Sequence, residues 1–399
     1  MKNTSSLTQT RVLIVGAGPA GLGVSAALKR AGVIDQLVVD AREIGAAFRR
    51  WPRGMSLLTP SFHSNVFGLT DLNAIDPETS PADFLCTEHP DGPGYARYLE
   101  AIVHHHGLPV QTGVEVKAVE KINKGFLVDT SQGSIQADFV VWAAGQFFHP
   151  CVRVFPGSEL AIHSSQVVDW ASLAGESFTI IGGYESGIDA ALNLIGLGKS
   201  VKLLSRGEPW ASDHPDPSRS LSPRTLDRLR QVLKNPEQSA ALEFVKNTEI
   251  CRIEAGEDFW VLRDQDDIPH ATTTRPILAN GFQSGLGLVE DLFEYDQNDL
   301  PVFTEEADES TLSPGLFYSG PSLVHRNSLF CFIYKFRARF GVIAAEIAGR
   351  LELPDIEEKL LPYAKAGFMN RDLDCCTNCE CAIEPDASET LEPASFAEG

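Results

Sequence analysis

Four cysteines fall within seven residues, Cys375-Cys376-Thr-Asn-Cys379-Glu-Cys381. The spacing overlays a vicinal pair, a CxxC and a CxC. Cys376 and Cys379 at CxxC spacing can cycle between dithiol and disulfide through thiolate attack. The same four thiolates, Cys375, Cys376, Cys379 and Cys381, can instead hold a soft metal such as Zn²⁺ or Cu(I), or trivalent arsenic or mercury. Asp372, Asp374 and Glu380 lie beside them and raise thiol pKa values, which opposes a strongly activated thiolate. A chance cluster in a polar tail is the third reading. Redox work leads, thiolate–metal binding follows.

Glycine spacing supplies a second chemistry. In Gly16-x-Gly18-x-x-Gly21, Gly16 permits a tight turn, Gly18 lets backbone approach a pyrophosphate, and Gly21 lets a helix pack on a strand. The helix N-terminus offers free N–H groups and the positive dipole end to phosphate. Asp40, 24 residues after Gly16, can accept both ribose hydroxyls of an adenosine. A second turn, Gly182-Gly183-Tyr184-Glu185-Ser186-Gly187, is a weaker copy with Tyr184 at the middle glycine. Its following strand ends in Ser205 and Arg206. A hydroxyl and a guanidinium there suit a 2′-phosphate, so NADPH is expected ahead of NADH.

The elements that must carry these turns are legible. RVLIV (11–15), GAGPAG, VSAALKRAG and QLVVD (36–40) read as strand, turn, helix, strand. FTIIG (178–182), GYESG, IDAALNLIGLG and KSVKLLS (199–205) repeat the plan about 165 residues later. Two such openings predict an α/β protein with two Rossmann-like dinucleotide-binding domains. Residues 114–141 alternate like a small meander. Residues 206–248 read as a Pro-rich loop and then an exposed helix around 223–247. Strands are expected near 249–264. TRPILANG (274–281) and GLFYSG (315–320) read as strands returning to the first domain, and 337–350 as a helix closing its core. The expected boundaries are 11–150 and 276–352 for the first domain, 151–275 for the second, and 353–399 for an extension ending in a disordered acidic tail (382–399).

Composition limits the function classes. The chain has 399 residues, 43% hydrophobic and 22% charged, too apolar for a disordered chain. Its net charge of −21 repels phosphate backbones and anionic lipid, so no nucleic acid and no membrane partner is expected. From Leu351 onward there are 12 acidic and 3 basic residues. No apolar run approaches the ~20 residues of a membrane span. The polar start MKNTSSLTQT lacks the apolar core of a secretory signal, so the expectation is a cytoplasmic, reducing setting. His104-His105-His106 before Gly107 reads as a helix end rather than a metal site. Cys86, Cys151, Cys251 and Cys331 read as ordinary thiols. The aromatic run 330–336 reads as core, with a pocket wall as the alternative.

GAGPAG, the second GG-containing turn, WAAG (142–145), ANGF (279–282) and GLFYSG (315–320) together resemble flavoproteins with paired FAD and NAD(P) domains. The layout is similar to the thioredoxin-reductase-like and flavin-containing-monooxygenase-like members of the pyridine nucleotide-disulfide oxidoreductase superfamily, over roughly 11–350. IIGGYESGIDAAL (180–192) resembles the second motif of bacillithiol-disulfide-reductase-type members, and RRWPRGMSLLTPS (49–61) their flavin-covering stretch. The resemblance implies FAD on the first unit, NAD(P)H on the second domain inserted into the first, and flavin contacts at Gly145 and Gly320. It implies hydride transfer from NADPH through flavin to a small-molecule or protein thiol/disulfide acceptor. A monooxygenase acting on a soft S or N, and a non-catalytic flavin-linked redox or metal sensor, are the alternatives. A homodimer stays open. The chain departs from the family in three places. Gly320-Pro321-Ser322 stands where many relatives carry Asp. Ala161 stands where monooxygenases carry His, the nearest being His163. The disulfide reductases' cysteine pair is missing from 45–60, and past its boundary residue Cys151 the second domain offers only Cys251.

Overall fold

The computed structural model describes residues 7–63, 69–212, 214, 216–326 and 328–373. The four clustered cysteines and the acidic tail lie outside the described residues. Two sheets organise the chain, one mixed and one parallel, each with a glycine turn at the carboxyl end of a central parallel strand.

The first sheet begins with β1 (Thr8–Val15), α1 (Pro19–Ala31) and β2 (Gln36–Asp40). Val12, Leu13 and Ile14 are fully buried, as expected of a parallel strand covered on both faces. Pro19 opens α1 at a position that needs no N–H. Gly32 closes it in the left-handed region with Lys29 and Arg30 in the last turn. Short α2 (Ala46–Arg49) and α3 (Pro81–Leu85) precede α4 (Gly92–His106). The α4 helix ends at Gly107, φ 55°, with its three histidines in the last turn, as the sequence predicts. Next come β3 (Val110–Thr112), β4 (Val116–Lys121), β5 (Phe126–Thr130) and β6 (Gly133–Trp142). The order is β3-β2-β1-β6-β5-β4, so the expected meander is the antiparallel edge of this sheet.

The chain then crosses to the second sheet. It contributes β7 (Ile162–His163), β8 (Ser177–Ile181), α5 (Glu185–Gly196), β9 (Ser200–Leu204), α6 (Pro223–Lys234), α7 (Pro236–Ala240) and β10 (Leu242–Val245). A three-stranded antiparallel sheet follows, β11 (Ile250–Ala255), β12 (Trp260–Asp264) and β13 (Pro269–Thr272). Then β14 (Ile277–Leu278) completes the order β10-β9-β8-β14-β7.

Two expectations are corrected here. The helix expected to run to 247 stops at Ala240, and LEFV forms β10, parallel to β9. TRPILANG does not return to the first sheet: β14 pairs with β7 and β8 in the second. The return comes after a small ribbon, β15 (Glu294–Tyr295) with β16 (Pro301–Val302), when β17 (Leu316–Tyr318) pairs with β6.

The short α8 (Ile333–Phe336) leads into α9 (Phe340–Arg350), and α10 (Ile356–Lys365) follows. A Cβ on Gly23, early in α1, would strike the Phe340 ring at 2.0 Å, while Gly32 at the other end of α1 lies near Leu353. So α1 and α9 run parallel, with their N-termini at one end. Residues past 353 are no mere extension, because Leu360, Tyr363 and Phe368 are buried in the first core. No helix among the described residues is long and apolar enough to cross a membrane.

Candidate functional site

The two glycine turns share one frame. Gly16 and Gly182 have φ of +118° and +110°, a region that favours glycine. A Cβ on either would strike the carbonyl oxygen of the next strand end, Ala143 at 2.2 Å and Ala279 at 2.5 Å. Gly16 N–H donates to Val39 O at 2.8 Å, and Gly182 N–H to Leu204 O at 2.9 Å. A Cβ on Gly21 would lie 1.9 Å from Gly16 O, and one on Gly187 1.8 Å from Gly182 O. Each third glycine therefore seats its helix on its turn. Gly145 (φ +70°) follows Ala143 as Gly281 (φ +81°) follows Ala279, so WAAG and LANG are equivalent strand ends.

The mouths differ. At Gly18 a Cβ would meet nothing within 4 Å, an open cradle at the N-terminus of α1. No side chain caps that helix. Asp40 sits beside it, Oδ2 accepting from Ala17 N–H at 2.7 Å and Oδ1 from Arg42 N–H at 2.8 Å. Burial raises the Asp40 pKa against these hydrogen bonds. At the end of β17, Gly320 has φ +149°. Tyr318 Oη accepts from Ser322 N–H at 3.0 Å, fixing the turn in which relatives carry Asp. The neighbouring Ser319 hydroxyl is buried with no hydrogen-bond partner among the described residues. An open cradle, a carboxylate at the ribose position and an orphan hydroxyl fit a flavin dinucleotide lying outside the strand ends.

The second mouth is furnished with side chains. Ser205 is buried, and its Oγ lies 2.4 Å from where a Gly183 Cβ would be, with the Trp210 ring at 3.0 Å. Ser205 thus stands against Gly183 as Asp40 stands against Ala17. Arg206 has a 79% exposed side chain and only a 3.7 Å contact to Glu249, so its guanidinium is available to an anion. Glu185, in the first turn of α5, accepts from Ser222 N–H and from Thr225 Oγ1, and burial raises its pKa. Tyr184 takes the place of Gly18.

Between the sheets the two crossing segments pair with each other. Cys151 N–H donates to Gly281 O at 3.0 Å and Gln283 N–H to His149 O at 2.8 Å. Buried His163 accepts at Nδ1 from Ser165 N–H (3.2 Å), which leaves Nε2 to donate to Gly281 O at 3.0 Å. Its pKa is lowered by burial, against that carbonyl. Phe147 stacks on Phe282 at 5.6 Å in the same place. Cys331, read from sequence as ordinary, lies 3.2 Å from Ser218 Oγ, and Lys335 reaches Asp216 and Ser218 at 2.6 and 2.7 Å. Burial raises the Cys331 thiol pKa. In the 330–336 run, Phe330 and Phe336 are core, while Phe332 and Tyr334 stack on each other at its surface side.

The structure brings Gly16, Gly18, Gly21 and Asp40 together at one strand-end turn, and Gly182, Gly183, Gly187 and Ser205 at the other, with Arg206 next along the chain. Cys375, Cys376, Cys379 and Cys381 lie outside the described residues. The sequence did not signal Lys335, whose partners Asp216 and Ser218 are distant in the chain, nor Trp210 and Ser319, whose places only the fold sets. Two cavities of about 500 and 380 Å³ lie elsewhere, one by Gly349 and Leu353, the other by Ser177 and Ser200 at the amino ends of their strands.

Comparison with known proteins agrees with this geometry. Residues 13–320 match the model of the family described as pyridine nucleotide-disulphide oxidoreductase. The chain is 25% identical over 348 residues to bacilliredoxin reductase Bdr of Bacillus subtilis, covering 86% of this chain and 99% of that protein. Among solved structures it is similar to bacillithiol disulfide reductase from Staphylococcus aureus, with TM-score 0.70 and 20% identity over 86% of this chain and 99% of that one. A flavin-containing monooxygenase from Stenotrophomonas maltophilia gives TM-score 0.66 and 18% identity, over 86% of this chain and 100% of that one. The chain belongs to the pyridine nucleotide-disulphide oxidoreductase family. It is an oxidoreductase that uses FAD and NAD(P)H.

Proposed function

We propose that, within this family, the chain reduces a disulfide or thiolate-bound acceptor with electrons from NADPH. FAD lies on the first turn, held by Gly16, Gly18, Gly21 and Asp40, with Gly145 and Gly320 along its length. NADPH lies on the second turn, Gly182, Gly183 and Gly187, with Ser205 and Arg206 at the 2′-phosphate. The two sheets are then the cofactor domains, the second inserted between 142 and 316. Bound FAD supplies two-electron transfer between nicotinamide and acceptor. The protein's own part is to orient the two nucleotides and decide what meets the flavin. The open cradle at Gly18 carries the cofactor assignment, and the full-length likeness to a bacilliredoxin reductase supports a disulfide acceptor.

Cys376 and Cys379 are proposed as the relay. The last described segment packs at the N-terminal end of α9: Gly341 N–H donates to Phe368 O at 2.8 Å and Asn370 N–H to Ala338 O at 2.7 Å. Leu373 is buried there. That end also carries the N-terminus of α1 and so the flavin crevice. Cys375 follows Leu373 by two residues and Cys381 by eight. Full extension bounds their distances from Leu373 at about 7 and 29 Å. A cut after Leu373 leaves the described fold whole. It is expected to preserve flavin content and reduction by NADPH while strongly lowering disulfide turnover, as Cys376→Ser with Cys379→Ser also would. Full turnover by the cut enzyme would refute the relay. Failure of NADPH to reduce the bound flavin would refute the oxidoreductase assignment. Stoichiometric zinc or copper with masked thiols would assign the cysteines to metal instead.

A further inference from the structure

Gly18 and Tyr184 occupy the same place in the two turns, with nearly the same backbone. Their φ and ψ are −90° and −174° for Gly18, and −93° and −166° for Tyr184. The Cβ of Tyr184 therefore leaves its turn in the direction that is open space at Gly18. At Gly18 that space is where the pyrophosphate approaches the helix N-terminus. The phenol does not fold back on its own helix. Its hydroxyl donates toward Ser220 O at 2.8 Å and Ser218 O at 3.2 Å.

Those carbonyls belong to a segment fixed at both ends. Lys335, in α8, holds Asp216 and Ser218. Glu185 holds Ser222 and Thr225, where Ser222 caps α6 and accepts from Thr225 N–H. The ring thus spans from the N-cap of α5 to an anchored wall, across the mouth of the turn. Trp210 and Ser205 already fill the space beside Gly183. Tyr184 is 38% exposed, so solvent lies on its outer side and the ring has room to turn that way.

We propose that Tyr184 closes the second pyrophosphate cradle in the nucleotide-free enzyme and swings outward when the dinucleotide binds. This rests on the assignment of NADPH to the second turn. Binding then breaks the hydroxyl's bond to the 218–220 carbonyls, so part of the binding free energy goes into opening the cradle. The chain trades affinity for a covered site, and Tyr184 sets the nucleotide's residence rather than its recognition.

The test uses the full-length, flavin-loaded protein and titration calorimetry with NADP⁺. Tyr184→Phe keeps the ring and removes the latch. Tyr184→Gly restores the arrangement of the first turn, whose backbone angles glycine already holds at position 18. Tyr184→Phe is expected to tighten Kd roughly two- to tenfold, the worth of one neutral hydrogen bond. Tyr184→Gly should tighten it at least as much. Adenosine 2′-monophosphate, which stops short of the turn, should bind all three proteins alike. Tighter NADP⁺ binding by Tyr184→Gly alone assigns the closure to the ring's bulk. Unchanged or weaker binding by Tyr184→Gly overturns the gate and leaves the NADPH assignment standing. Absence of NADP⁺ binding by the wild type and both variants overturns the assignment and the gate together.

Discussion

Two glycines three residues apart are expected to fail in opposite ways. A Cβ at position 18 meets nothing within 4 Å, and φ −90° is open to any residue, so Gly18→Val leaves the fold intact. Loss of chain freedom on replacing glycine stabilises by about 0.4–1 kcal/mol, and the poorer capping by valine offsets this, so the net change is within about 1 kcal/mol. The valine methyls stand where the pyrophosphate must approach. Losing two charge-assisted backbone hydrogen bonds costs about 3–6 kcal/mol, a roughly hundred- to ten-thousandfold loss of FAD affinity. At position 21 the added Cβ would lie 1.9 Å from Gly16 O and 3.1 Å from Ile14 Cγ2. Backbone on both sides of the helix–strand contact must move, so Gly21→Ala is expected to lose stability before it loses any ligand contact. Visible absorbance per chain reads flavin, and thermal melts of flavin-stripped protein read the fold. A yellow Gly18→Val, or an apo melt lowered as far as that of Gly21→Ala, would refute this division of labour.

Two further outcomes follow from the same geometry. Arg206→Ala is expected to raise the KM for NADPH roughly ten- to a hundredfold, the worth of a charge-assisted phosphate contact, and to leave NADH nearly unchanged; equal effects on both would remove the 2′-phosphate from this position. His163 has its pKa held below 6.5 by burial, so the unfolded chain binds its proton more tightly and the contribution is complete above about pH 6.5. Stability should then fall as pH drops from 6.5 through the lowered folded value, with a slope of up to about 1.4 kcal/mol per pH unit. Urea titrations of wild type and His163→Gln check this, and a slope persisting in the variant would place it on another group.

The turns were legible because their requirements are local. RVLIV and FTIIG are buried strands, and the glycines answer steric demands within a few residues of themselves. What failed to show depends on partners far along the chain. LEFV at 242–245 follows a helical stretch and is only one strand long, so its pairing with β9 decides its state. The placement of β14 between β8 and β7 is likewise a property of the sheet, since TRPILANG reads the same whichever sheet receives it. Tyr184 was visible as a departure from the fingerprint. Its partner carbonyls, more than thirty residues away, were not.

The asymmetry between the turns matches the work proposed for them. A cofactor that stays bound through turnover gains from an open, pre-formed cradle, because no opening cost is subtracted from its affinity. Gly18, with free space beyond it, provides that. A nucleotide that must arrive, react and leave in each cycle needs a finite residence, and every 1.4 kcal/mol removed from its binding shortens that residence about tenfold when the on-rate is constant. Tyr184, Trp210 and Ser205 crowd the second mouth by side chains alone, while the backbone frame beneath them keeps the dimensions of the first. One fold unit can thus serve as a permanent seat or a revolving one, and a single residue at the middle position of the turn goes far to decide which.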